Sequence, residues 1–125
     1  MIDHIDHVVL TTRDREGCIR FYRDTLGMKL EAFGEGRTAL KFGNQKINVH
    51  DWGREFEPRA HVAAPGTLDL CFIASVPLDE VMRRLAAAGV KIVEGPVMKT
   101  GATGPIRSVY VRDPDLNLVE ISVSA

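Results

Sequence analysis

Gly27-Met28-Lys29-Leu30 and Gly89-Val90-Lys91-Ile92 share one pattern, a glycine, an apolar residue, a lysine and a branched apolar residue, and they lie 62 residues apart. A repeat at fixed spacing in a chain of 125 residues points to one structural unit written twice. Working back from the first tetrapeptide, Ile19, Phe21, Tyr22 and Leu26 fall at helical spacing, with Asp14 as N-cap and Gly27 as C-cap. Before that helix, His4 to Thr11 is rich in β-branched residues and reads as a strand. After Gly27 come three short strands: Met28 to Phe33, Thr38 to Phe42 and Lys46 to His50, separated by glycine-bearing turns.

The second half follows the same order. Leu68 to Ala74 is a strand, Pro77 opens a helix running to Gly89, and Val90-Lys91-Ile92 follows. Ser108 to Val111 and Leu118 to Ser122 are strands joined by the turn Asp113-Pro114-Asp115. The expected fold is therefore α+β, two βαβββ units over residues 1–58 and 66–125 with a linker at 59–65. Helices are expected over Asp14 to Leu26 and Leu78 to Ala88.

Composition narrows the function classes. Sixteen basic and seventeen acidic residues give a formal charge of −1, which offers no attraction to nucleic acid. No apolar run approaches a bilayer span and the amino terminus lacks a signal-peptide core, so no membrane partner is expected and a cytoplasmic location is the default. Cys18 and Cys71 each sit among apolar neighbours and read as reduced, core-type thiols.

The repeat also picks out polar residues. With the offset of 62, His7 at the first strand corresponds to Asp69; if Ile47-Asn48-Val49 answers Val119-Glu120-Ile121, Asn48 corresponds to Glu120 and His50 lies one step further on the same face. Each alone has a plain alternative: His7 as a satisfied core histidine, Asp69 and Glu120 on a solvated face, His50 as an exposed strand end. Their symmetric placement is what suggests nitrogen and oxygen donors for one divalent ion, Zn²⁺, Fe²⁺, Mn²⁺ or Ni²⁺. Further candidates for substrate contact are Asn48, the loop Lys99-Thr100-Gly101-Ala102-Thr103-Gly104, read as a backbone cradle for an anion, and the aromatics Trp52 and Phe56 of the long connection after His50.

Ile5 to Thr11, Phe21-Tyr22, Leu26-Gly27-Met28 and the ending Asp113-Pro114-Asp115-Leu116-Asn117-Leu118-Val119-Glu120 together resemble the vicinal-oxygen-chelate superfamily, which includes glyoxalase I, bleomycin resistance proteins and extradiol dioxygenases. The ending matches that family's closing signature, D-P-D/x-G-N-x-x-E. Asn48-Val49-His50, Glu55 to Pro58, Pro65 to Asp69 and Thr100 to Ile106 are similar to the branch called glyoxalase domain-containing protein 5 and to bacterial relatives described as virulence or dioxygenase-like proteins. The resemblance implies a cupped mixed sheet made by pairing the units, in a homodimer. It also implies one divalent metal held by His7 and Glu120, with Asp69 and His50 completing the set and Glu120 also acting on protons. Asp69 and Asn48 depart from the histidine and glutamate usual in glyoxalase I, which sets the glutathione-linked reaction in doubt. The implied function is metal-dependent lyase, isomerase or ring-cleaving dioxygenase chemistry on a small oxygenated metabolite; the alternative is a metal-free small-molecule-binding protein of the bleomycin-resistance type.

Overall fold

A computed structural model describes all 125 residues. The elements run β1 (His7–Thr12), α1 (Arg15–Ile19), a π-helical segment (Arg20–Thr25), β2 (Lys29–Phe33), β3 (Arg37–Phe42) and β4 (Gln45–Asp51), then β5 (Asp69–Ile73), α2 (Leu78–Ala87), β6 (Glu94–Gly101), β7 (Gly104–Arg112) and β8 (Leu118–Ser124). The chain divides into two compact units, Met1–Thr67 and Leu68–Ala125. Each contains a four-stranded mixed sheet, ordered β1-β4-β3-β2 in the first and β5-β8-β7-β6 in the second. In both, the first strand lies parallel to the last and the other neighbours are antiparallel. This is the expected α+β fold. β1 and β5 begin at His7 and Asp69, the spacing of 62 read from the sequence.

The helix boundaries follow from capping. Asp14 Oδ1 accepts a hydrogen bond from the Gly17 main-chain N–H at 3.0 Å, satisfying one of the free donors of the first turn. A Cβ on Gly17 would stand 2.2 Å from the other carboxylate oxygen, so the cap and the glycine require one another. At the other end Gly27 (φ 82°) takes the left-handed conformation that closes the helix. Between the caps the helix is not uniform. From Arg20 it widens, and the Phe21 carbonyl accepts from the Leu26 N–H, five residues on, at 3.0 Å. The neighbouring side chains Phe21 and Tyr22 are both buried there, edge to face at 4.9 Å.

One face of each sheet supplies the core. In the first unit Leu10, Leu40, Ile47 and Val49, all fully buried, come from alternate positions of β1, β3 and β4 and are joined by Cys18, Phe21 and Tyr22. In the second, Val109, Val111, Val119 and Ile121 play the same part with Leu78, Val81 and Leu85 of α2.

Two sequence readings are corrected, the start of the strand after α2 and the burial of Cys71. The strand expected at Val90-Lys91-Ile92 begins only at Glu94: the stretch from Val90 to Val93 is irregular, and β6 then carries a register shift between Glu94 and Val97 around Gly95-Pro96, where proline has no N–H to give the ladder. The Lys99 to Gly104 loop is a tight hairpin tip, with Gly101 opposite Gly104. A Cβ on Gly101 would approach the Gly104 carbonyl oxygen to 2.9 Å, so that glycine serves the turn. Cys18 is buried as expected, but Cys71 is exposed; both are free thiols. Alternation explains the difference, since Cys71 takes the face of β5 opposite to the core.

The turn before β8 is a closed knot of hydrogen bonds. Asp113 Oδ1 accepts from the N–H groups of Asp115 and Asn117, both at 2.9 Å, and its Oδ2 accepts from Asn117 Nδ2 at 2.8 Å. Asn117 Oδ1 in turn accepts from the Leu68 N–H at 2.9 Å, fastening the chain just before β5. Leu116, at the tip, has φ 69°, a left-handed conformation that costs a non-glycine residue roughly 1–2 kcal/mol.

Candidate functional site

Each unit turns its second sheet face, the one opposite the core, toward polar chemistry. In the first unit Val9 pairs with Asn48, His7 with Lys46 and Thr11 with His50. All six side chains therefore share one face, together with Arg37, Ala39 and Lys41 of β3 and Phe33 of β2. In the second unit Cys71 pairs with Glu120, and Glu120 with Tyr110. Cys71 is Val9 plus the repeat offset, so Asn48 and Glu120 occupy corresponding places, as the sequence implies.

His7 is half-exposed, and its Nδ1 lies 2.8 Å from Asp6 Oδ1. That contact holds the Asp6 carboxyl below its ordinary range, chiefly through the hydrogen bond to the imidazole. With Nδ1 engaged by a carboxylate, Nε2 is the nitrogen presented for coordination, the arrangement by which carboxylates orient metal-binding histidines. His50 lies four residues further along the sheet, on the order of 13 Å away at the backbone. It is buried, and its ring meets Phe56 edge-on at 5.4 Å. Burial, then the Arg37 guanidinium, push its pKa down, against the opposing carboxylates Glu55 and Asp51. His50 is thus held as a neutral imidazole with a lone pair. Phe56 packs back onto this face beneath Arg37, at 4.4 Å, whereas Trp52 is exposed with Arg13 over its ring at 5.5 Å.

Around Glu120 the second unit assembles a chain of hydroxyls. Ser108 and Ser122, both fully buried, are 2.7 Å apart; Ser122 Oγ stands 3.4 Å from Glu120 Oε2 and 3.5 Å from Cys71 Sγ. Tyr110 is pushed up to about 12, first by burial and then by its hydrogen bond to Glu120, so its hydroxyl keeps its proton and donates it to the carboxylate through the neutral range. Lys99 Nζ lies 5.6 Å from the Tyr110 ring centroid, while Thr100 is exposed near the hairpin tip. Asp69 is exposed at the start of β5, one alternating step from Cys71 and diagonal to Glu120.

The four donors suit a divalent ion by type, two imidazoles and two carboxylates, and neither Asp69 nor Glu120 is tied up in an ion pair. No three His, Cys, Asp or Glu side chains of the chain form a ready metal-holding group. Tyr110, Ser108, Ser122, Lys46, Arg37 and Phe33 escaped the sequence reading. Strand alternation from Asn48 and Glu120 would have found Lys46 and Ser122; the others needed the register between strands.

A family model for the Glyoxalase/Bleomycin resistance protein/Dioxygenase superfamily matches residues 4–121. The chain belongs to this superfamily. Among its members, virulence protein STM3117 of Salmonella typhimurium is 54% identical over 122 residues, spanning 98% of this chain and 85% of that protein. The crystal structure of STM3117 superposes with a TM-score of 0.97 over 100% of this chain and 99% of the other. Glyoxalase domain-containing protein RDO1 of Mycosarcoma maydis is 52% identical over 118 residues, 94% of this chain and 66% of that protein. A superfamily enzyme, lactoylglutathione lyase from Agrobacterium tumefaciens, matches with a TM-score of 0.75 at 25% identity, covering 98% and 95% of the two chains. The superfamily thus includes enzymes, and the fold is theirs.

Proposed function

We propose that the protein is a divalent-metal-dependent enzyme acting on a small oxygenated metabolite through two neighbouring oxygens, of lyase, isomerase or ring-cleaving dioxygenase type. The observation that carries this reading is the preparation of the two principal donors. His7 has Nδ1 engaged by Asp6, and Glu120 faces Tyr110 across the ladder with Ser122 Oγ 3.4 Å from its Oε2, in the first and last strands of their respective units. Asp69 and His50 are the further ligands. A bound divalent ion would supply Lewis-acid polarisation of the substrate oxygens. The chain's own part is to orient and to handle protons. Asp6 fixes the His7 tautomer, Ser122 and Tyr110 stand beside Glu120, and the Glu120 carboxylate takes or returns a substrate proton. Lys99, Thr100, Trp52 and Phe56 are assigned to substrate contact.

Calorimetric titration of chelator-stripped protein with Zn²⁺ and Ni²⁺ tests the assignment. Binding is expected in the wild type and should weaken at least tenfold in His7→Ala and in Glu120→Gln. Equal affinity in all three proteins would remove both residues from the ligand set and leave the metal-free, ligand-sequestering reading. The same reading places the protein in a homodimer, in keeping with β1 and β5 being edge strands that carry the exposed apolar side chains Val9 and Ile73. Light scattering should give twice the chain mass of 13.8 kDa; a mass of one chain would remove the dimer.

A further inference from the structure

The polar face of the first sheet carries four cations, Lys29, Lys41, Lys46 and Arg37, and one carboxylate, Glu31; two of the cations, Lys46 and Arg37, rest on aromatic rings. Lys46 Nζ lies 3.9 Å from the centroid of Phe33, and the Arg37 guanidinium carbon lies 6.0 Å from that centroid and 4.4 Å from that of Phe56. Neither takes part in an ion pair, so their charges are balanced only by the aromatic faces beneath them. The register explains the placement. Lys46 on β4 and Phe33 on β2 lie two strands apart on this face, and the diagonal between them crosses Ala39, whose small side chain leaves room for the lysine to reach over. Beside Ala39 is Asn48, 8% exposed, and its Oδ1 is buried with no hydrogen-bond donor. A buried carbonyl oxygen left without a donor costs roughly 1–3 kcal/mol. It is a place where a ligand hydroxyl recovers free energy.

These groups complement one ligand. Two cations on aromatic faces suit an anionic carboxylate, since a guanidinium and an ammonium both strengthen their hydrogen bonds when the acceptor is charged. An acceptor without a partner suits a hydroxyl donor near that carboxylate. Phe33 and Ala39 suit a short apolar remainder. We propose that this face binds a small 2-hydroxycarboxylate, its carboxylate between Arg37 and Lys46 and its hydroxyl donating to Asn48 Oδ1. Lys46 leaves Phe33 on binding and exchanges a cation–π contact for an ion pair. The inference deepens the function proposed above by naming the substrate class, and rests on it only in taking the bound acid to be the substrate.

The test uses ¹⁵N-labelled, chelator-treated full-length protein, so that metal binding is not required. 2-Hydroxybutyrate is titrated and followed by amide shifts, alongside butyrate, which lacks the hydroxyl, and 2-hydroxybutyramide, which lacks the charge. 2-Hydroxybutyrate is expected to shift the amides of residues 37–39 and 46–50, with both analogues at least fivefold weaker. Arg37→Gln and Lys46→Gln should each weaken binding about tenfold, and Lys29→Gln, a cation at another corner of the same face, should not. Spectral dispersion of each variant reports that it is folded, and Arg37→Lys, which keeps the charge, should retain part of the affinity. Butyrate binding as well as 2-hydroxybutyrate would overturn the role of Asn48. Amide binding as well as acid, or both glutamine variants matching wild type, would overturn the carboxylate site. Loss of this site with metal binding intact refutes only the ligand class, whereas the converse result refutes only the metal assignment.

Discussion

Replacing Asp113 by alanine is expected to destabilise the protein by about 3–5 kcal/mol, since each buried donor left without an acceptor costs on the order of 1–3 kcal/mol. The carboxylate is 3% exposed and accepts from two main-chain N–H groups and one side-chain amide. Alanine leaves those donors buried without their acceptor, and each carries a desolvation cost of its own. The loss should not stay local. Asn117, held by Asp113, is also the acceptor for the Leu68 N–H, and Leu118 N–H donates to the Leu68 carbonyl at 3.1 Å. The turn therefore fixes where β5 starts against β8, and with it the placement of Asp69 and Glu120. Urea denaturation followed by far-UV circular dichroism measures the effect. Asp113→Asn, which keeps one acceptor oxygen, should fall between wild type and alanine; a loss under 1 kcal/mol for alanine would show the knot to be dispensable.

Leu40→Ala is expected to cost about 2–5 kcal/mol, the range for deleting a buried leucine side chain and leaving part of its volume empty. Leu40 is fully buried in β3 between Leu30 and Ile47 on the core face. Trp52 is the chain's one tryptophan and lies in the first unit, so its fluorescence in urea follows that unit's unfolding. Phe33 provides the contrast: it sits on the opposite face of the same sheet, and Phe33→Ala should move the fluorescence midpoint less than Leu40→Ala does. Equal shifts would mean that the polar face contributes as much packing as the core face.

The repeated order of elements is legible in the sequence because capping and periodicity are local. Asp14, Gly27 and the glycine turns act within a few residues, and the offset between Gly27 and Gly89 transfers the reading to the second half. The delayed start of β6 is not legible that way, since Val90-Lys91-Ile92 has a good strand composition and the register shift at Gly95-Pro96 only appears once β7 is paired. The widening of the helix at Arg20 likewise has no residue that announces it. Leu116 shows a partial signal: the family signature has glycine at that place, and the φ of 69° found there is the conformation glycine adopts most easily.

For the candidate site, the symmetric positions His7, Asp69, Asn48 and Glu120 follow from counting. Their surroundings do not. Arg37, Lys46 and Phe33 are distant in sequence and meet only through the register of three strands. Tyr110 faces Glu120, and Ser108 faces Ser122, across the β7–β8 ladder. Side chains that meet across strands leave no periodic trace along the chain.

The opposite fates of the two cysteines have a practical consequence. Cys18 is sealed in the first unit, while Cys71 lies open directly across from Glu120. A maleimide dye added to the native protein therefore marks one address, and the wild-type chain already carries a reporter beside its acidic centre. Emission from that dye would record, in real time, any ion that the proposed ligand Glu120 takes up, with no engineered label to be introduced first.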